Sequence, residues 1–149
     1  MKNDKAPPFE ITLKVRDSCL CLHIQRAARA IARHFDEVLR PVNLTNGQFS
    51  LLMSLNRPAP PRLGEIAELL AMDRTTLTAA LKPLERRGLV RVRADGTDKR
   101  QRRLELTPEG GELLSAAYPI WEASHAEIER RIGGIIDPDQ LRTTLRALS

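Results

Sequence analysis

Between Leu89 and Leu106 the apolar residues change their period. Upstream they recur every three or four residues; in LVRVR and in RLEL they recur every two. A period of three to four marks an amphipathic helix, and a period of two marks a half-buried strand. The two alternating runs are separated by the turn-rich stretch ADGTDK, so they predict a two-stranded hairpin with a charged tip. Thr107 and Pro108 then suit the cap and first residue of a new helix. These signals define a mainly α-helical chain that carries one small β-hairpin.

The helices before the hairpin have readable ends. From Ser18 to Arg40 the apolar residues Leu20, Ile24, Ala27, Ile31, Phe35 and Val38 keep a helical step, and Pro41 closes the run. In LTNGQF, Thr45 and Gln48 have capping-box spacing, while Leu44 and Phe49 are placed as a hydrophobic staple. That helix stops before NRPAPP. Leu63 to Leu70 reads as a short helix, Ala71-Met72 as a tight turn, and Asp73 as the cap of a second helix that ends at Gly88. Pro83 removes one backbone donor from that helix and should bend its last turns. After the hairpin a long helix carries Leu113, Ala117, Trp121, Ser124 and Ile128 and ends at Gly133-Gly134. Asp137, Pro138 and Gln140 open the last one, whose stripe is Leu141, Leu145 and Leu148. The outer helices carry long apolar stripes that little within one chain could cover, the usual reason for a symmetric homodimer.

Charge points to a partner. The chain of 149 residues has a formal net charge of +5, and residues 82 to 103 alone hold nine Lys or Arg against three Asp or Glu. The remainder is therefore close to neutral. One basic segment on a balanced protein is the footprint of a polyanion. A short helix, a tight turn and a capped second helix make a helix-turn-helix, which places its second helix in the major groove of DNA. That helix presents Arg74, Thr75, Thr78 and Lys82 away from its apolar side. Hydroxyls suit phosphates or base edges, and arginine can read guanine. The hairpin tip presents Lys99 and Arg100, followed by Arg102 and Arg103; arginine suits the negative potential of a narrow minor groove. Asp98 is expected to orient an arginine through a charge-assisted bond. Arg91 and Arg93 by themselves read equally well as solvated surface.

The stretch LLAMDRTTLTAALKPLERRGLVRVRADGTDKRQRRLELTPEG resembles the winged helix-turn-helix core of the MarR family of transcriptional regulators, most specifically in LERRGLV and in DKR followed by RRLELTPEG. The order of elements extends the resemblance from about residue 18 to 149. The resemblance implies a homodimeric regulator on a pseudo-palindromic operator in double-stranded DNA, usually a repressor released by a small molecule. It implies that Thr75, Thr76 and Thr78 stand on the recognition helix, that Arg100 is the wing arginine, and that Asp98 supports it. Arg62, Leu63 and Gly64 stand where the family usually has a hydroxyl near the start of the first short helix. The expected organisation is a disordered tail over 1–9, an N-terminal dimerisation segment and helix over 10–44, a winged helix-turn-helix DNA-binding domain over 45–107, and C-terminal dimerisation helices over 108–149. A non-specific architectural DNA-binding protein is the alternative of another class.

A small-molecule site is expected where the dimer helices meet the DNA-binding module, with His23, Arg26, Phe35 and Trp121 supplying apolar and cationic groups for an aromatic or acyl carboxylate. Ser18 to His23 reads SCLCLH and contains the only two cysteines. On a continuous helix Cys21 falls about 200° round from Cys19, so the thiols diverge and neither a disulfide between them nor a convergent metal site is expected. Cys21 then reads as a packing residue. The alternative is oxidant sensing, because LCLHIQRAARAI resembles the first-helix region of the family's peroxide-sensing branch and Cys21 falls at its reactive cysteine. Phe35 and Asn46 stand where that branch has tyrosines. No cofactor, metal or catalytic motif is expected: the chain lacks a glycine-rich nucleotide loop, HExxH and a nucleophile elbow. Two cysteines, no secretory leader and no apolar run near 20 residues fit a cytoplasmic protein outside the membrane.

Overall fold

The computed structural model describes residues 5–149. Residues 1–4 of the expected tail lie outside the described residues; residues 5–8 are exposed and irregular, and Phe9 opens a helix. The chain divides into two compact units, residues 1–34 and residues 35–149.

The first unit consists of α1 (Phe9–Ser18) and most of α2 (Leu20–Val38). Helix α1 does not follow a helical period. Its apolar residues Phe9, Ile11, Leu13 and Val15 alternate, the period of a strand, yet the segment is helical. Alternation yields a strand only where a second strand completes the ladder. As a helix it spreads these side chains around the axis, and none is buried. Cys19 breaks the run between the two helices with an extended backbone, φ −72° and ψ 107°. On α2 the polar and apolar faces are well separated, but its only buried residue is Phe35, in the second unit.

The second unit has a continuous core. Leu39, Leu52, Ile66, Leu77, Leu81, Leu84 and Leu104 are its fully buried large side chains. Helix α3 (Asn46–Leu55) begins with the capping box read from Thr45 and Gln48. Helix α4 (Leu63–Leu69), a turn through Ala71 at φ 51°, and α5 (Arg74–Arg86) form the helix-turn-helix. Pro83 lies inside α5. Gly88 takes φ 71°, and the Leu89 N–H donates to the Leu84 carbonyl at 3.0 Å, closing the helix end.

Strands β1 (Val90–Ala94) and β2 (Arg102–Leu106) pair antiparallel, with Val90 opposite Leu106 and Val92 opposite Leu104. Pro61 and Arg62 add a short third edge: the Leu104 N–H donates to the Pro61 carbonyl at 2.9 Å, and Arg62 bridges Arg103. Helix α6 (Pro108–Gly133) returns against this hairpin. A Cβ on Gly110 would stand 2.2 Å from the Leu89 carbonyl oxygen, so only glycine permits that approach. Thr107 fixes the junction by donating to the Gly88 carbonyl and accepting the Gly110 N–H. Helix α7 (Pro138–Arg146) has no buried residue and is tied to α6 through Arg142, which bridges Asp139 and Glu129. The molecule is therefore mainly α-helical, a winged helix-turn-helix with flanking helices. No helix among the described residues is long and apolar enough to cross a membrane.

Candidate DNA-binding interface

Helix α5 is anchored by one face and displayed by the other. Leu77, Leu81 and Leu84 are 0–1% exposed, whereas Arg74, Thr75, Thr76, Thr78 and Lys82 are exposed. Asp73 caps the helix, accepting both the backbone N–H and the hydroxyl of Thr76 at 2.7 Å. These bonds, the backbone one foremost, hold the Asp73 carboxyl below the usual range. The Thr78 hydroxyl donates to the Arg74 carbonyl at 2.7 Å. Two of the three threonine protons are therefore spent within the helix, leaving those oxygens as acceptors. Among the described residues the Thr75 hydroxyl has no acceptor, which leaves its proton for an outside one.

At the hairpin tip Lys99 and Arg100 are exposed, and Arg102 is exposed at the start of β2. Asp98, expected to orient an arginine, has no arginine side chain bonded to it among the described residues. Its Oδ1 accepts the backbone N–H of Arg100 at 3.0 Å, which shapes the turn instead. The acid that holds arginines is Asp95. It is 4% exposed; its Oδ2 accepts from Arg62 Nε at 3.2 Å and Arg103 Nε at 3.1 Å. Its Oδ1 accepts the N–H and hydroxyl of Thr97 at 3.0 and 3.1 Å. The Thr97 backbone bond is the largest of the effects that hold the Asp95 carboxyl far below its usual range, against the opposing effect of burial. Arg103 also donates to the Pro60 carbonyl at 3.0 Å, so one carboxylate ties β2, the wing turn and the approach to α4 together. The Asp-Gly-Thr turn was a local sequence signal for half of this cluster. Arg62, 33 residues away, carried none.

The wing pairings also sort the basic segment. Glu105 sits between Arg91 and Arg93, at 3.9 and 3.2 Å, and Arg103 is engaged by Asp95. Lys82, Lys99, Arg100 and Arg102 have no carboxylate partner among the described residues and lie outward on α5 and the wing.

The residues expected to bind a small molecule divide between the units. In the second, Trp121 stacks against Phe35, Phe49, Tyr118 and His125, with ring centroids 6.4, 5.8, 6.2 and 4.5 Å away. Beside it lies an open groove of about 520 Å³ whose lining includes Phe49, Met53, Arg57, Leu70 and Trp121. In the first unit His23 and Arg26 are exposed on α2, and His23 Nδ1 lies 2.8 Å from the Cys19 carbonyl. Cys21 is exposed and accepts from Gln25 Nε2 at 3.2 Å. Within one chain it is therefore not a core residue, because no described residue of the first unit buries it. Cys19 precedes the helix, where its sulfur accepts the Leu22 N–H at 3.5 Å. The angle expected between the two thiols assumed one unbroken helix and does not apply. Among the described residues no group of three or more His, Cys, Asp or Glu is placed to hold a metal ion.

Comparison with known proteins agrees with this geometry. The family model described as the MarR family matches residues 44–101. The transcriptional regulator HosA of Escherichia coli O111:H- is 34% identical over 93 residues, which cover 62% of this chain and 68% of HosA. The crystal structure of the Mycobacterium tuberculosis transcriptional regulator MosR in complex with DNA superposes with a TM-score of 0.79 at 37% identity, covering 88% of this chain and 93% of that one. The transcriptional repressor CouR of Rhodococcus jostii RHA1, bound to a 23-mer DNA duplex, gives a TM-score of 0.71 at 28% identity, covering 90% and 92%.

Proposed function

This chain belongs to the MarR family, and from that premise we propose that it is a homodimeric, sequence-specific repressor released from a pseudo-palindromic operator by a small anionic ligand. The carrying observation is the set of uncommitted groups on α5 and the wing. Thr75 and Lys82 project from a capped helix, while Lys99, Arg100 and Arg102 project from a hairpin whose base is braced by Asp95. Helix α5 enters the major groove, with Thr75, Thr76 and Thr78 at base edges and phosphates, and Arg100 reaches the neighbouring minor groove. MosR and CouR, both solved on DNA, support the same docking. A purely architectural protein has no need of a capped helix that presents hydroxyls in this way.

The dimer rests on uncovered apolar surface. Phe9, Ile11, Val15, Leu20, Ile24 and Ile31 are 37–71% exposed, and Leu145 and Leu148 of the C-terminal region are 41% and 63% exposed. Such stripes are buried by a second copy. The effector reading rests on the Trp121 stack and on Arg57 in the adjoining groove, an aromatic wall with a cation suited to an aromatic or acyl carboxylate. A second reading assigns release to oxidation of Cys21, favoured by its exposure.

The test is selection of DNA from a random pool, with the protein's mass measured by ultracentrifugation. One enriched palindromic sequence and a dimeric mass are expected. Retention of all sequences alike, tracking salt alone, supports the architectural protein instead. Small aromatic acids and peroxide, added separately to the selected complex, distinguish the two release mechanisms, with Cys21→Ser as the control for the second.

A further inference from the structure

The two arginines at the start of the helix-turn-helix have different fates. Arg62 precedes α4, and its guanidinium is turned inward to Asp95 at 3.2 Å. Arg74 opens α5, and its guanidinium lies back over the beginning of α4. A Cβ on Gly64 would stand 2.9 Å from Arg74 Nη2, 3.6 Å from Cζ and 3.9 Å from Nε. The guanidinium, Nη2 foremost, therefore lies close over the bare Cα of Gly64, and a Cβ there would make its outer end shift. Arg74 is exposed and has no carboxylate partner among the described residues. Its own carbonyl is occupied by the Thr78 hydroxyl, so the backbone beneath it is fixed as well.

This placement bears on what Arg74 can reach. In a helix-turn-helix the second helix lies along base edges, while the first crosses the sugar–phosphate backbone. A guanidinium laid over the first turn of α4 is on the backbone side of that division. Its planar fork of donors suits two oxygens of one phosphate. We propose that Arg74 is a phosphate-clamping residue seated on Gly64, and that it sets the register of α5 without reading a base. This rests on the DNA-binding reading above and sharpens it. Base discrimination along α5 then falls to the threonine face and Lys82, and Gly64 contributes to DNA affinity by leaving room for the Arg74 guanidinium.

The experiment measures affinity of the full-length protein for its selected operator and for random duplex across a salt series. The variants are Arg74→Ala, Arg74→Lys and Gly64→Ala, each with its melting curve. Arg74→Ala is expected to weaken both DNAs by the same factor and to lower the slope of log affinity against log salt by about one. Equivalently, the parent's advantage over Arg74→Ala shrinks about three- to fourfold between 50 and 200 mM salt. Arg74→Lys keeps the charge and restores the slope. Gly64→Ala pushes the guanidinium off its seat, so it weakens both DNAs equally with no loss of thermal stability, alanine being the better helix former. A loss confined to the operator, a changed base preference in Arg74→Ala, or an unchanged salt slope overturns the proposal. A parent protein with no affinity for either DNA overturns the DNA-binding reading itself, which separates the two failures.

Discussion

Residues 5–34 and residues 35–149 solve the folding problem in opposite ways. The second unit buries seven large side chains almost completely and brings helices and a hairpin onto one core. The first unit has two helices and buries nothing, although α2 segregates its polar and apolar faces well. A helix of this kind gains its stability from packing an apolar face rather than from its own propensity. Stability therefore resides inside the chain for the DNA-binding half, and between chains for the N-terminal half under the dimeric reading.

The largest expected effect tests the self-sufficient half. Leu104, 0% exposed on β2, is surrounded by the core that holds the wing to α5. Leu104→Ala is expected to cost about 2–5 kcal/mol in chemical denaturation, by the same amount at every protein concentration. A loss below about 1 kcal/mol would break the comparison at its stronger end.

Next comes a surface residue of the same unit. Arg100→Ala should leave the melting curve unchanged while weakening operator binding roughly ten- to a hundredfold. Unchanged operator affinity at physiological salt would show that the wing tip stays off the DNA.

The N-terminal half should respond through concentration. Ile31, 45% exposed in the single chain, is a place for a charge: Ile31→Glu is expected to weaken self-association about tenfold or more, since a lone charge in an apolar interface is costly. Sedimentation of parent and variant across a dilution series reads this directly. Equal masses at all concentrations would mean that the stripe is not the seam.

A smaller effect belongs to Asp95. Its folded pKa is depressed, first by the Thr97 N–H, then by the Thr97 hydroxyl and the arginines, so its contribution to stability is complete above the ordinary carboxylate range. That contribution is lost as pH falls from about 4 toward the folded value. Melting curves of parent and Asp95→Asn should run parallel from about pH 5 to 8 and converge below about pH 4. A gap that widens on acidification would contradict the assignment. Smallest of all, Cys21→Ser should change stability by less than about 0.5 kcal/mol, because Cys21 is exposed in the single chain. A larger cost that appears only where the protein is dimeric would place Cys21 in the interface.

Much of the fold was legible because its signals are local. The capping box at Thr45 and Gln48, the Asp73 cap, the Gly88 stop and the switch of period at the hairpin each depend on residues within a few positions of one another. Backbone groups at helix ends must find partners, and short polar side chains supply them from nearby. The outward groups of α5 followed from the same helical period that buried Leu77, Leu81 and Leu84.

Tertiary structure decided the rest. Helix α1 carries a strand's alternation and folds as a helix, because the segment has no ladder to join. Which acid serves the wing was settled by distance through space: Asp98 had the more suggestive neighbours, but Asp95 is the one that Arg62 and Arg103 reach. The seat of Arg74 on Gly64 joins two helices whose sequence spacing gives no hint of it. The helices with well-marked ends, the hairpin and the family could be read before any fold was known, since periodicity and capping are short-range chemistry. Only the folded chain determined which charges are spent on one another and which remain free for DNA, because charges pair by proximity in space.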